Sequence, residues 1–536
     1  MNQALHSSKP GLARADLVVL TAAALILVLF RLHAYPAPLE NDECNYAYFA
    51  QRLLAGDRLY VDVWDHQPFG VFALFAGVIA LFGDEPVVFR LLTLVFSTIS
   101  LWLIFAILRR GFGLLAAVSG AFLFALASSD PGTAGEGCNR EIYMNTFVLL
   151  AWYLVLLRSS ASRGAVVGAG AALALGSAVK TILAIHWLFL AGYLIVEVCL
   201  RTSRDKRPRV LIETMALFAA GPIVLWLTAL AYFTVTGRAS EFIDAVFLFN
   251  LSYAGGEVGF FARFLEFFTP RRHPFIFDSA LPLWIGGALA LVGLVVSYVL
   301  RRETRTLLIL LMAAASFVAV CLPGRFWPHY YYLLIPPLIV AVAAATHEFA
   351  VLITRGHPTR ARHAVVLFAV VPILLGWTEY RNYLNQPPFG ITVKRYNSRD
   401  FWGRAMGEKV KQVTQPGDRV FVYGSDTAVY YYSDRRCASR YTMITGISSR
   451  HEGAQDRREI LMRELVEDPP RVIIVLFDEA PFAEWQRFLD RHYGQPVGWD
   501  FDDKDPTSAI MFVMAAKDRP IPAMNWDWDR REVGGW

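Results

Sequence analysis

Two adjacent carboxylates, Asp42 and Glu43, stand in the stretch PAPLENDECNYAYFAQRLLAG, directly after the first long apolar run of the chain. Carboxylates beside a bilayer are costly to keep near apolar surroundings, and these precede an amphipathic segment. That placement suggests chemistry on a substrate held at the membrane surface. Such a residue can serve as a base within hydrogen-bond reach of a hydroxyl; the plainer alternative is a pair of solvated acids, which a first helical turn favours. Lys180, at the end of the apolar run ALGSAVKTILA, is placed either to meet a lipid phosphate at headgroup depth or to anchor its helix by snorkelling. Arg325 and His329 fall within GRFWPHYYY. There Arg offers a fixed fork of donors for phosphate, and His donates or accepts at neutral pH. Tyr330 and its neighbours Trp327, Tyr331 and Tyr332 also read as an aromatic belt. Asp42, Glu43, His66 and Glu141 could supply ligands to a divalent metal, although nothing in their spacing demands one.

These residues are carried by a chain of 536 residues that is 55% hydrophobic and 18% charged, with a mean hydropathy of +0.39. Such a composition excludes an ordinary soluble protein. Runs able to cross roughly 30 Å of hydrocarbon recur near 17–33, 87–108, 112–128, 142–157, 164–179, 182–199, 210–235, 279–300, 306–322, 330–347 and 364–378, about eleven in all. The first follows Lys9 and Arg14, lacks a clean cleavage site and reads as an uncleaved anchor. Basic residues sit in alternate loops: Arg109 and Arg110; Arg158 and Arg163; Arg201 to Arg209; Arg301, Arg302 and Arg305; Arg355, Arg360 and Arg362. The positive-inside rule makes those loops cytoplasmic. The net charge of +5, distributed in this way, sets topology and does not point to nucleic acid. The acidic loops, which hold Asp42, Asp62, Asp65, Asp130, Glu136 and Glu141, then face outward together with the long loop 236–278 and the C-terminal tail.

Phe69 to Phe82 would be one more span by hydropathy, but counting it would reverse every later loop. It is therefore expected to be an interfacial helix entered at Pro68 and ended at Gly83. Cys44 to Leu54, with a stripe of Tyr46, Phe49, Ala50, Leu53 and Leu54, is expected to be a second helix lying on the membrane. The five cysteines show no metal spacing, and a Cys44–Cys138 disulfide stays open. After about residue 379 the sequence alternates strands (PGDRVFVYG, RVIIVLF, SAIMFVMAA) with helices (RREILMRELVEDPP, AEWQRFLDRHY), a small α/β domain. The expected organisation is an α-helical multi-pass membrane module over 1–378 and an extracytoplasmic α/β domain over 379–536.

The order of features resembles the polyprenyl-phosphate-sugar-dependent glycosyltransferases of the GT-C fold, in the bacterial branch with the aminoarabinose transferase and the protein O-mannosyltransferases. The matching stretches are Asp42-Glu43 with YAYFAQRLLAGDRLYVDVWDHQPFGVFAL, FRLLTLVFS with Arg90, GEGCNREIYMNTF, ALGSAVKTILA and PGRFWPHYYYLLIPP, over roughly 17–347. The resemblance implies a membrane glycosyltransferase moving a sugar from a polyprenyl-phosphate donor to an envelope glycan, lipid or protein. Asp42 would be the catalytic residue, with Glu43 assisting. Lys180, Arg325 and His329 would hold the donor phosphate, and His66, Glu141 and Tyr330 the sugar or acceptor. Where many members carry lysine before the proline of DHQPF, this chain has Gln67, so either His66 substitutes for that cation or Lys180 and Arg325 carry more of the charge. A single displacement would invert the anomeric centre. Two other classes fit the same sequence: a flippase that breaks no bond, and an envelope-assembly scaffold.

Overall fold

The computed structural model describes residues 14–157, 162–254, 259–269, 275–354, 358–388, 390–391, 399–448, 453–476, 482–501 and 509–526. Lys9, Arg158 and Arg355, used above for topology, lie outside the described residues.

The chain begins with helices α1 (Arg14–His33), α2 (Asn41–Leu54), α3 (Phe69–Phe82), α4 (Pro86–Gly111), α5 (Leu114–Ala127), α6 (Arg140–Leu157), α7 (Arg163–Val179), α8 (Ala184–Arg201) and α9 (Arg207–Val235). Four short helices occupy the loop that follows: α10 (Ala239–Ile243), α11 (Phe249–Ala254), α12 (Phe260–Glu266) and α13 (Phe275–Ser279). Then come α14 (Leu281–Arg301), α15 (Thr304–Cys321), α16 (Pro328–Tyr331), α17 (Ile335–Thr354) and α18 (Pro358–Glu379). Each of the eleven apolar runs is a helix, and the protein is a multi-pass membrane protein. Among the described residues seven helices have the length and hydropathy of a full crossing, while α5 and α7 are shorter apolar helices.

The bundle packs as interlocked pairs, α6 on α7, α7 on α9, α14 on α17, α4 on α5 and α8 on α15. Its basic ends gather together: Arg109 pairs with Asp16 at 3.1 Å, Arg305 pairs with Glu348 at 3.3 Å and donates to the Gly111 carbonyl, and Arg301 also pairs with Glu348. The opposite end carries α2, α3, the short helices and the C-terminal domain.

That domain contains α19 (Arg399–Val413), β1 (Arg419–Tyr423), α20 (Ala428–Ser433), β2 (Arg436–Cys437), α21 (Ala454–Glu467), β3 (Val472–Leu476), α22 (Ala483–His492), β4 (Gly498–Phe501) and β5 (Ala509–Ala515). One sheet runs in the order β2-β1-β3-β5-β4, parallel from β2 to β3 and antiparallel thereafter. Its central strand VIIVL is buried at every position, as a sheet covered on both faces requires.

Helix α2 starts earlier than the apolar stripe suggested, so Asp42 and Glu43 lie in its first turn. Residues 43–50 are all buried, because α3 covers one face and α20 covers another. The amphipathic stripe accounts for the α3 side alone. Helix α3 is entered at Pro68 and stopped by Gly83 at φ 84°, as expected. A Cβ at Gly70 would collide with the Ala178 carbonyl, so glycine lets α3 lie against the end of α7. All five cysteines are free thiols, so Cys44 and Cys138 form no disulfide.

Candidate active site

The first turn of α2 sends its two acids to different places. Glu43 turns into the protein, where one oxygen accepts from Arg90 Nη1 at 3.3 Å and from the Cys138 amide. Its other oxygen accepts from the Glu40 amide at 3.1 Å, closing a capping box at the helix start. Glu43 is thus a buried structural group that does not reach the cavity described below. Asp42 keeps a 31% exposed side chain, and its Oδ2 lies 3.8 Å from Arg140 Nη2, 3.8 Å from His329 Nε2 and 3.5 Å from the Tyr46 hydroxyl.

Behind this carboxylate the ends of α6 and α7 contribute charge, and α16 adds an imidazole. Glu141, at the start of α6, accepts from Lys180 Nζ at 2.8 Å. Lys180 ends α7 in an extended conformation, beyond the helical turns, and its ammonium stands 3.6 Å above the Tyr330 ring. Burial pushes the Lys180 ammonium down to about 8, against the pull of the Glu141 carboxylate. His329 and Tyr330 come from α16, a short turn started by Pro328. Arg140 is buried, and its Nε and Nη1 have no hydrogen-bond partner; nor has Glu141 Oε2. Buried polar groups are normally satisfied, so a cluster of open valences beside a cavity marks a place built for a polar ligand.

The cavity has a volume of about 270 Å³, and its polar lining residues are His66, Gln67, Lys180, Asn250, Tyr253 and Tyr330. Ile182, Ile185 and Leu322 are among its apolar lining residues. His66 is fixed by Asp65 at 3.3 Å and by the Gln67 amide at 2.7 Å, and its ring lies 5.0 Å from that of Tyr253. Burial raises the Asp65 carboxyl to about 6, although the Gln67 amide, Arg140 and Asn45 each favour its ionised form. Arg325 stands one layer away: its guanidinium covers the Tyr253 ring at 4.3 Å and donates to the Tyr253 carbonyl at 3.3 Å.

Of the residues expected from sequence, Asp42, Glu141, Lys180, His329, Tyr330 and His66 therefore converge, Arg325 approaches through Tyr253, and Glu43 stays apart. The sequence does not single out Arg140, Asp65, Asn250 or Tyr253 as site residues. Arg140 carried a signal, a cation next to an acid at the mouth of a span. Asn250 and Tyr253 sit in a loop without periodicity. The foreseen metal ligands Asp42, Glu43, His66 and Glu141 do not assemble. Among the described residues the group that does is Glu40, Asp42 and His329, with ligand atoms within 4.8 Å. Glu40 accepts from the Asn139 amide through Oε1.

Comparison with known proteins bears on the fold that carries this site. The family described as dolichyl-phosphate-mannose-protein mannosyltransferase matches residues 66–226, which hold His66, Arg140, Glu141 and Lys180. ArnT from Cupriavidus metallidurans superposes with a TM-score of 0.57 at 16% identity, over 94% of this chain and 98% of that one. The fold is that of the GT-C glycosyltransferases. The undecaprenyl phosphate complex of the same ArnT gives a TM-score of 0.56. The archaeal oligosaccharyltransferase AglB from Archaeoglobus fulgidus, solved with an inhibitory peptide and a dolichol-phosphate, gives 0.54 at 14% identity, over 86% of this chain and 69% of that one. No curated protein matches by sequence. Within this GT-C frame the Asp42 end of the bundle, with its cavity and its covering domain, is the candidate active site.

Proposed function

We propose that the protein is an integral-membrane glycosyltransferase that takes a sugar from a polyprenyl-phosphate donor and delivers it to an acceptor on the extracytoplasmic face. The observation that carries this reading is the convergence of one partly exposed carboxylate, Asp42, with Arg140, Lys180 and His329 beside a cavity lined by both polar and apolar side chains. The apolar lining residues suit the first units of a lipid chain and the polar ones suit phosphate and sugar.

Transfer breaks the bond between the anomeric carbon and a phosphate oxygen, so negative charge grows on the departing polyprenyl phosphate. Lys180 and the open N–H groups of Arg140 are preorganised to stabilise that charge. Glu141 holds the Lys180 ammonium in place, and Arg325 adds positive potential through the second layer. Asp42 takes the proton of an acceptor hydroxyl as the new bond forms. Attack from the face opposite the phosphate inverts the anomeric centre in one step. The basic ends of α4, α8 and α14 support a cytoplasmic location for that end of the bundle, with Asp42 and the C-terminal domain on the other side.

The test is to incubate purified protein with labelled polyprenyl-phosphate sugars and membrane extract. Wild type should release free polyprenyl phosphate and label an acceptor, whereas Asp42→Asn and Lys180→Ala should not. Movement of intact lipid-linked sugar without release would overturn the reading.

A further inference from the structure

The carboxylate of Asp42 sits in the first turn of a helix, the part that most readily frays because its N–H groups lack intrahelical partners. Here that turn is tied down by the C-terminal domain. The Asn41 side chain donates to the Ser425 carbonyl at 2.6 Å and accepts from the Thr427 amide at 2.7 Å and its hydroxyl at 2.9 Å. The same hydroxyl lies 2.8 Å from the Asn41 carbonyl. Two residues upstream, the Leu39 amide donates to the Tyr432 hydroxyl at 2.9 Å. One turn downstream, Asn45 accepts from Thr442 at 3.3 Å and donates to Asp65 at 2.6 Å. The domain therefore grips α2 on both sides of Asp42, through Asn41 and Asn45, while Asp42 and Tyr46 look toward Arg140 and His329.

We infer that the C-terminal domain sets the position of Asp42 through Asn41, a positioning residue locked to the 425–427 turn; this rests on Asp42 being the base proposed above. The domain then belongs to the catalytic machinery without touching substrate. A displacement of about 1 Å at a reacting group can cost about a hundredfold in rate, so a loosened first turn should lower turnover while leaving the donor cavity intact.

The experiment uses the full-length chain in lipid nanodiscs with Asn41→Ala, Thr427→Val and Thr427→Ser. Thr427→Val removes the hydroxyl at nearly constant shape, and Thr427→Ser keeps it. Amide hydrogen exchange across residues 41–46 should quicken about tenfold or more in Asn41→Ala and Thr427→Val, and return toward wild type in Thr427→Ser. With the labelled donor that wild type turns over, kcat should fall about tenfold or more in the first two variants. Donor KM and undecaprenyl phosphate binding should stay within about twofold. Unchanged exchange at 41–46, or a loss of kcat matched by an equal rise in KM, would overturn the inference. Wild type that turns over no polyprenyl-phosphate sugar would instead refute the proposed function, and the exchange measurement would still decide whether the domain holds the turn.

Discussion

Asp42 and Glu43 are neighbours in sequence and strangers in space. Successive residues on an α-helix project about 100° apart, so two adjacent acids cannot both face one cavity. The sequence marked the pair; only the packing of α2 says that Asp42 looks at Arg140 and His329 while Glu43 is held by Arg90 and the helix cap. Two different mutant phenotypes should result. Asp42→Asn should lower kcat by about a hundredfold or more, the usual worth of a positioned base, with undecaprenyl phosphate binding retained. Glu43→Gln should leave a buried guanidinium short of its partner and lower thermal stability by about 3 kcal/mol, read as a fall in melting temperature. For Lys180 the pH dependence follows from its environment. Its ammonium is lost as pH rises through about 8, so attraction for the donor phosphate is present below that value and fades above it. Donor KM should rise across that window, and Lys180→Arg should flatten the alkaline rise.

At the level of elements, α3 and the end of α7 act together. Gly70 permits α3 to touch the backbone at Ala178, two residues before Lys180. Gly70→Val must push the two apart and drag Lys180 off Glu141 and the Tyr330 ring. Donor affinity should then drop about tenfold or more while Asp42 keeps its surroundings, a difference visible as a rise in KM that exceeds the fall in kcat. The spans were legible because crossing hydrocarbon requires a long apolar run, a property that any window of sequence reveals. The strands and helices of the C-terminal domain were legible for the same local reason: RVIIVLF and AEWQRFLDRHY carry their own periods. The second covering of α2 was not, because it is supplied by α20 and the 425–427 turn, far along the chain. Nor were Asn250 and Tyr253, which line the cavity from a loop whose shape is set by packing and not by pattern.

Across the whole molecule, charge separates the two ends. The Arg109–Asp16 and Arg305–Glu348 pairs gather at one, and the cavity and domain at the other. Labelling of single cysteines checks the orientation. With the partly exposed Cys199 replaced by serine, the remaining cysteines are buried, so an introduced thiol reports alone. Gln415→Cys should react with an impermeant maleimide on intact cells, and Ser203→Cys only after the membrane is opened. The reverse pattern would invert the topology.

The tie between Asn41 and Thr427 spans 386 positions of the chain. During synthesis the helix bearing Asp42 therefore emerges long before its second support, and it gains that support only after the last domain has been made and folded. A half-made or C-terminally clipped molecule already in the bilayer would hold lipid-linked sugar beside an unbraced carboxylate, and so would remain quiescent until assembly is finished.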